Sequence, residues 1–162
     1  MILLNFDGKI KGDSTQEGHK DWITVESFQI GVGRAISTSG AGTDRDTSTP
    51  SFSEATVSKS TDISSNELFA QAIYGKKICD KAVVRFLQTG GADASQIYME
   101  YELHEPIISS YSISSGGERP SESIAISFTK ILQKYIQFSA GAEKKPADPK
   151  GYDLKTGKPF NG

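Results

Sequence analysis

Apolar and polar residues alternate with a period of two along most of this chain, the pattern of strands that bury one face. Ile97, Met99, Tyr101 and Leu103 alternate with Glu100, Glu102 and His104, and Ile78, Ala82, Val84 and Phe86 with Lys77, Lys81 and Arg85. The same rhythm predicts an opening strand over 2–10 that ends at Gly12, and strands over 51–59, 107–115 and 121–138, the last carrying Ile124, Ile126, Phe128 and Leu132. Residues 22–32 form a further strand whose alternation changes phase at Glu26–Ser27. Either a bulge re-aims the side chains there or both faces are covered. Gly90-Gly91-Ala92-Asp93 and Gly116-Gly117 supply turns.

One segment breaks the rhythm. Ser64 precedes Glu67 by three residues, the spacing of a capping box, and Leu68, Phe69, Ala72 and Ile73 recur at helical intervals before Gly75. This predicts a helix over about residues 64–74, which at that length needs packing against a sheet to hold it. Residues 35–50 hold almost no large apolar residue and predict an exposed excursion between strands, closed by Pro50. From Ala140 the chain carries Lys144, Lys145, Pro146, Pro149, Gly151 and Gly157. It is expected to be a loosely ordered tail (140–162) unless Tyr152, Leu154 and Phe160 dock on a neighbour. The fold class is therefore mainly β: a small antiparallel β-barrel over 1–139, including the loop 35–50, with one flanking α-helix. A closed barrel removes edges that would otherwise aggregate.

Composition agrees. Ser and Thr together number 32 and Gly adds 16 in 162 residues, a mixture poor in helix interiors. The 18 basic and 20 acidic residues leave a net charge of −2 with no basic stripe, which argues against nucleic acid. No apolar run approaches the ~20 residues of a membrane span. The start Met1 to Asp7 lacks the positive region of a signal peptide. The single cysteine, Cys79, excludes a disulfide framework within the chain.

A search for chemistry yields no constellation. His19 and His104 lie apart from each other and from Cys79, whereas zinc wants three or four converging ligands. Gly31-Val32-Gly33-Arg34 lacks the third glycine of a dinucleotide fingerprint, since residue 36 is Ile36. Gly75-Lys76-Lys77 lacks the rest of a phosphate loop. Asp44, Asp46 and Ser48 begin like a calcium loop, but Thr49 replaces its glycine. Glu100 and Glu102 share a strand face and read as a solvated stripe. No catalytic, metal or cofactor-binding residue is expected, and no enzyme.

Five stretches in order resemble a known family. Lys9-Ile10-Lys11-Gly12-Asp13-Ser14 is similar to a "K-G-E-S" turn, and Gly18-His19-Lys20-Asp21-Trp22-Ile23 to an "H-x-x-x-I" strand entry. Phe52 to Phe69 follows a strand–helix unit with Asp62, Ser64, Ser65 and Leu68 in place. Ile108-Ser109-Ser110-Tyr111-Ser112 with Gly116-Gly117-Glu118-Arg119-Pro120-Ser121-Glu122 resembles "S-S-Y-S…G-G…P-x-E". Phe128-Thr129-Lys130-Ile131 and Tyr135 resemble a last strand. Together they identify the chain as similar to the haemolysin co-regulated protein (Hcp) family, tube subunits of type VI secretion systems. The departure is Val57-Ser58-Lys59 where the family has "F-T-K". The resemblance implies a phage tail-tube-like protomer that forms homohexameric rings. These stack into a hollow tube that works with a spike, sheath and baseplate and carries small effector proteins in its lumen. It implies folding in the bacterial cytoplasm and secretion without a classical signal peptide. Thr43, Asp44, Arg45, Asp46 and Thr47 are then candidates for ring stacking, and Gln29 for the lumen wall. A phage-type tail-tube protein and a monomeric β-barrel binding module are the alternatives.

Overall fold

In a computed structural model the described residues are 1–37, 48–89, 95–138 and 144–162. The opening strand β1 (Ile2–Asn5) is shorter than its apolar run, because Asp7 (φ 51°) and Gly8 (φ 71°) turn the chain. Phe6 and Ile10 still enter the core. The long strand expected over 22–32 is divided into β2 (Ile23–Val25), β3 (Ser27–Gln29) and β4 (Val32–Gly33). The phase change at Glu26–Ser27 marks the point where the chain passes from one sheet to another. There the Glu26 N–H donates to Ser58 O at 2.8 Å. Among the described residues β5 (Ser51–Phe52) pairs only with β4, and β6 (Ala55–Ser60) follows.

The second half supplies β7 (Lys81–Gln88), β8 (Gln96–His104), β9 (Ile107–Ser114), β10 (Ser121–Ser127) and β11 (Lys130–Phe138). Residues 144–162 differ from the loose tail expected. They add β12 (Lys144–Pro146), β13 (Lys150–Asp153) and β14 (Lys158–Phe160). Backbone pairing of β12 and β13 with β11 and a 5.5 Å stack of Tyr152 on Phe52 hold them. Tyr152 thus docks on its own chain, not on a neighbour.

Every pairing is antiparallel. The larger sheet runs β14-β13-β11-β8-β7-β1-β2 with β12 beside β11, and the smaller runs β3-β6-β10-β9. The mainly β architecture with one helix is as the alternation predicts. Among the described residues the ladders do not close into a barrel. The chain instead turns three corners between sheets, at Glu26, at Glu105 (φ 51°) to Pro106, and at Phe128–Thr129. Leu4, Val25, Val84 and Leu103 of one sheet and Val57, Ile108, Ile124 and Ile126 of the other share one buried core. Phe28 bridges the sheets, its ring 5.8 Å from Phe86 and 5.0 Å from Tyr101.

The helix α1 (Ser65–Tyr74) is close to its predicted span, but its start is built differently. Ser64 sits in the helical region (φ −76°, ψ −14°) and makes no side-chain cap. Asp62 takes over, its carboxylate accepting the Ser64 N–H at 2.8 Å and the Ser64 hydroxyl as well. Glu67 is left to accept from Gln71. Gly75 ends the helix at φ 62°, a left-handed conformation that suits glycine. No helix among the described residues is long and apolar enough to cross a membrane.

Candidate self-assembly surfaces

Cross-strand partners share a face, so the register of the smaller sheet sorts its side chains into two sets. Inward stand Ala55, Val57 and Lys59 on β6, Ile126, Ile124 and Glu122 on β10, and Phe28 on β3. Outward stand Ser27 and Gln29 on β3, Thr56, Ser58 and Ser60 on β6, Ser121, Ser123 and Ala125 on β10, and Ser110, Ser112 and Ser114 on β9. This outward face carries hydroxyls, one amide and one methyl, and no charge at any of those positions. Gln29, the lumen candidate, lies on it and is exposed. The hydroxyls of Ser27 and Ser58 bond to each other across the strands. The sheet ends on both sides without a further strand among the described residues. One edge is β3; the other is the eight-residue β9, which contains neither proline nor charge.

A second surface comes from α1. The sequence gives the helix an apolar face, yet only Leu68 of its large apolar residues is buried. Phe69, Ile73 and Tyr74 are 53%, 66% and 61% exposed, and Ile63 just before the helix is 67% exposed. Phe69 meets Tyr111 of β9 edge to face at 5.6 Å. An amphipathic helix whose apolar flank its own sheet leaves uncovered is a common mark of an interaction site.

Between these surfaces lies a buried ionic cluster. Lys59 has a side chain 0% exposed, and its ammonium stands 2.8 Å from Asp62 Oδ1 and pairs with Glu122 Oε2. The Ser65 hydroxyl donates to Glu122 Oε2 at 3.0 Å, and the Tyr111 hydroxyl donates to Glu122 Oε1. Burial pushes the Tyr111 phenol well above its usual range, with the Glu122 hydrogen bond and charge adding to the shift. Four elements meet here: β6, β10, β9 and the first turn of α1. The sequence singled out these residues only as motif members. Their signal was a charge at an inward parity, Lys59 between Ser58 and Ser60 and Glu122 between Ser121 and Ser123.

The other candidates resolve plainly. Glu100 and Glu102 are a stripe on the outer face of the larger sheet, paired with Arg85 (2.6 Å), Lys81 (3.3 Å) and Lys134 (3.4 and 2.7 Å). His19 is buried against Trp22 at 4.8 Å, and Arg85 lies 4.9 Å above the Trp22 ring, which anchors the polar loop before β2. Cys79 is buried, and burial raises its thiol. Among the described residues no group of His, Cys, Asp and Glu is placed to hold a metal. Thr43, Asp44, Arg45, Asp46 and Thr47 lie outside the described residues.

The family described as "Type VI secretion system effector, Hcp" matches residues 3–135. The chain belongs to the Hcp family. Its fold superposes on a solved type six secretion system protein with a TM-score of 0.88, at 24% identity over 98% of each chain. Hcp1 from Salmonella typhimurium gives 0.75 at 25% identity, covering 98% of this chain and 97% of that one. A type VI secretion system effector from Yersinia pestis gives 0.68 at 21%, covering 94% and 99%. Among curated proteins none matches. The departure at Val57-Ser58-Lys59 has a structural meaning, since Lys59 is the residue that reaches Asp62 and Ser65 at the start of α1. The chain is a type VI secretion protein of the Hcp type.

Proposed function

We propose that this Hcp-family chain is a tube subunit: it closes into a hexameric ring, and rings stack into a hollow tube. The observation that carries this is the smaller sheet, open at both edges among the described residues and with a hydroxyl-lined outward face. The edge strand β9, paired with β10 on one side only, turns the N–H and C=O groups of every second residue outward, and β3 of a second copy offers the complementary edge. Such a contact is heterologous and propagates around a ring until it closes. Closure places the Ser/Thr face on the inside and hides two edges that would otherwise aggregate. The apolar flank of α1 adds hydrophobic area to the same contact between copies.

The lumen so formed is wet and sparsely charged, with the Glu26 carboxylate accepting the Ser60 hydroxyl beside it; it is suited to holding small effector proteins without tight binding, and Gln29 is its cargo-facing position. The loop 35–50, with Thr43 to Thr47, contacts the next ring; tube length in a 40–48 deletion measures that role. The spike, sheath and baseplate of the secretion system are its further partners. The protein is made in the bacterial cytoplasm and leaves with the tube.

Native mass measurement tests the ring. The expected particle is six times the 17.5 kDa subunit. A lone 17.5 kDa species at every concentration rejects the ring and favours a monomeric binding module. Phe69→Ser with Ile73→Ser should cost the protomer no more than about 1–2 kcal/mol, the Phe69–Tyr111 ring contact included, while the six-fold particle gives way to smaller ones.

A further inference from the structure

The buried cluster is an unusual way to fix a helix. Lys59, Asp62 and Glu122 have side chains 0%, 9% and 0% exposed, so an ammonium and two carboxylates have left water together. Removing charges from water is costly, and their attraction roughly repays it; apolar residues of like volume hold such a site as well or better. Stability alone therefore gives no reason for the cluster. Direction does. The Lys59 ammonium, the Ser65 hydroxyl and the Tyr111 hydroxyl converge on Glu122, and Asp62 receives both Lys59 and the Ser64 N–H at the start of α1. The surplus negative charge lies against the helix N-terminus, which favours it. Apolar contacts tolerate sliding, whereas these bonds fix one position of the helix on the sheet.

What that position controls is visible at both ends. The neighbours of Lys59 and Glu122 along their strands are Ser58, Ser60, Ser121 and Ser123, all on the hydroxyl face. On the other side Tyr111, tied to Glu122 through its hydroxyl, packs its ring on exposed Phe69 at 5.6 Å. We propose that Lys59, Glu122 and Asp62, with Tyr111 as relay, are positioning residues for assembly: they set α1 on the sheet so that Phe69 and Ile73 meet the next copy in one register, and they serve association rather than the stability of the protomer. This rests on the self-assembly reading above.

The test replaces the pair by apolar residues, Lys59→Met with Glu122→Leu, in the full chain. Expected are a cooperative melt whose midpoint falls no further than the loss of Asp62's cation requires, faster hydrogen exchange confined to α1, and an association constant per subunit contact lowered about tenfold, the change that a 1.4 kcal/mol loss produces. Wild-type ring fraction together with wild-type α1 exchange overturns the proposal. Should the double variant not melt cooperatively, Tyr111→Phe decides, since it removes only the hydroxyl. A lowered ring fraction at an unchanged midpoint supports the relay, and an unchanged ring fraction defeats it. If the wild-type chain forms no ring, the assembly reading falls by itself, and α1 exchange in the double variant still judges whether the cluster positions the helix.

Discussion

Gly12 shows how a single atom is excluded from this fold. Its N–H donates to Asp21 O at 2.8 Å, and a Cβ there would sit 2.4 Å from Trp22 O and 2.5 Å from the Cα of Ile23. The neighbours are backbone and cannot rotate away, so the glycine of the "K-G-E-S"-like turn is required by close approach. Gly12→Ala should cost about 1–3 kcal/mol or more through overpacking. At roughly 2–4 °C per kcal/mol for a domain of this size, the thermal midpoint falls visibly. Gly33, with open space around its Cβ position, is the control: Gly33→Ala should leave the midpoint nearly unchanged. Equal midpoints for both variants would show that the chain at Gly12 yields.

At the scale of elements, β8 carries a pH dependence on its outer face. Burial lowers the His104 imidazole, with Lys81 and Lys130 adding and Glu102, 3.6 Å away, opposing. The folded state thus resists the proton that the unfolded chain takes up as pH falls through about 6.5, so stability declines below that pH. Burial also raises the Glu102 carboxyl, but hydrogen bonds and charges from Lys134 and Lys81 outweigh it and hold the group low. Its contribution is complete above the ordinary carboxylate value of about 4.3 and is lost as pH falls through the lower folded value. Thermal midpoints should therefore drop in two stages, and His104→Gln should remove the upper one. A variant with the wild-type profile between about pH 7 and 5.5 contradicts this assignment. The alternation that made β8 legible in the sequence also made most strands legible, but the phase change at Glu26–Ser27, read there as a bulge or a doubly covered strand, is a corner between two sheets. The cap of α1 was not legible, because Asp62 takes the Ser64 N–H that Glu67 would accept in a capping box, and only geometry selects between the two carboxylates. Helical periodicity revealed an apolar face on α1 but not that the protomer leaves Phe69 and Ile73 bare. Lys59 and Glu122 look in sequence like ordinary surface charges. Their pairing depends on the register of β6 against β10.

For the whole molecule, the two sheets divide the work. The larger sheet wears paired charges outside, where Arg85, Glu100, Glu102 and Lys134 neutralise one another, and the smaller wears hydroxyls. If copies close edge to edge, the second face is the one they share, and any charge added to it is repeated in every copy around the pore. Gln29 lies there, on the exposed side of β3 opposite Thr56, with an amide that both donates and accepts. Gln29→Arg removes the acceptor and brings a long cation to each copy. The backbone edges and the α1 flank are untouched, so ring mass by light scattering should match the wild type. Effector retained by purified rings should fall by about tenfold or more, the equivalent of losing 1.4 kcal/mol of association. Higher salt should restore part of it if repulsion between cations and cargo is the cause, because such charges are screened within about 8–10 Å at ordinary ionic strength. Unchanged retention would move the cargo surface away from this sheet.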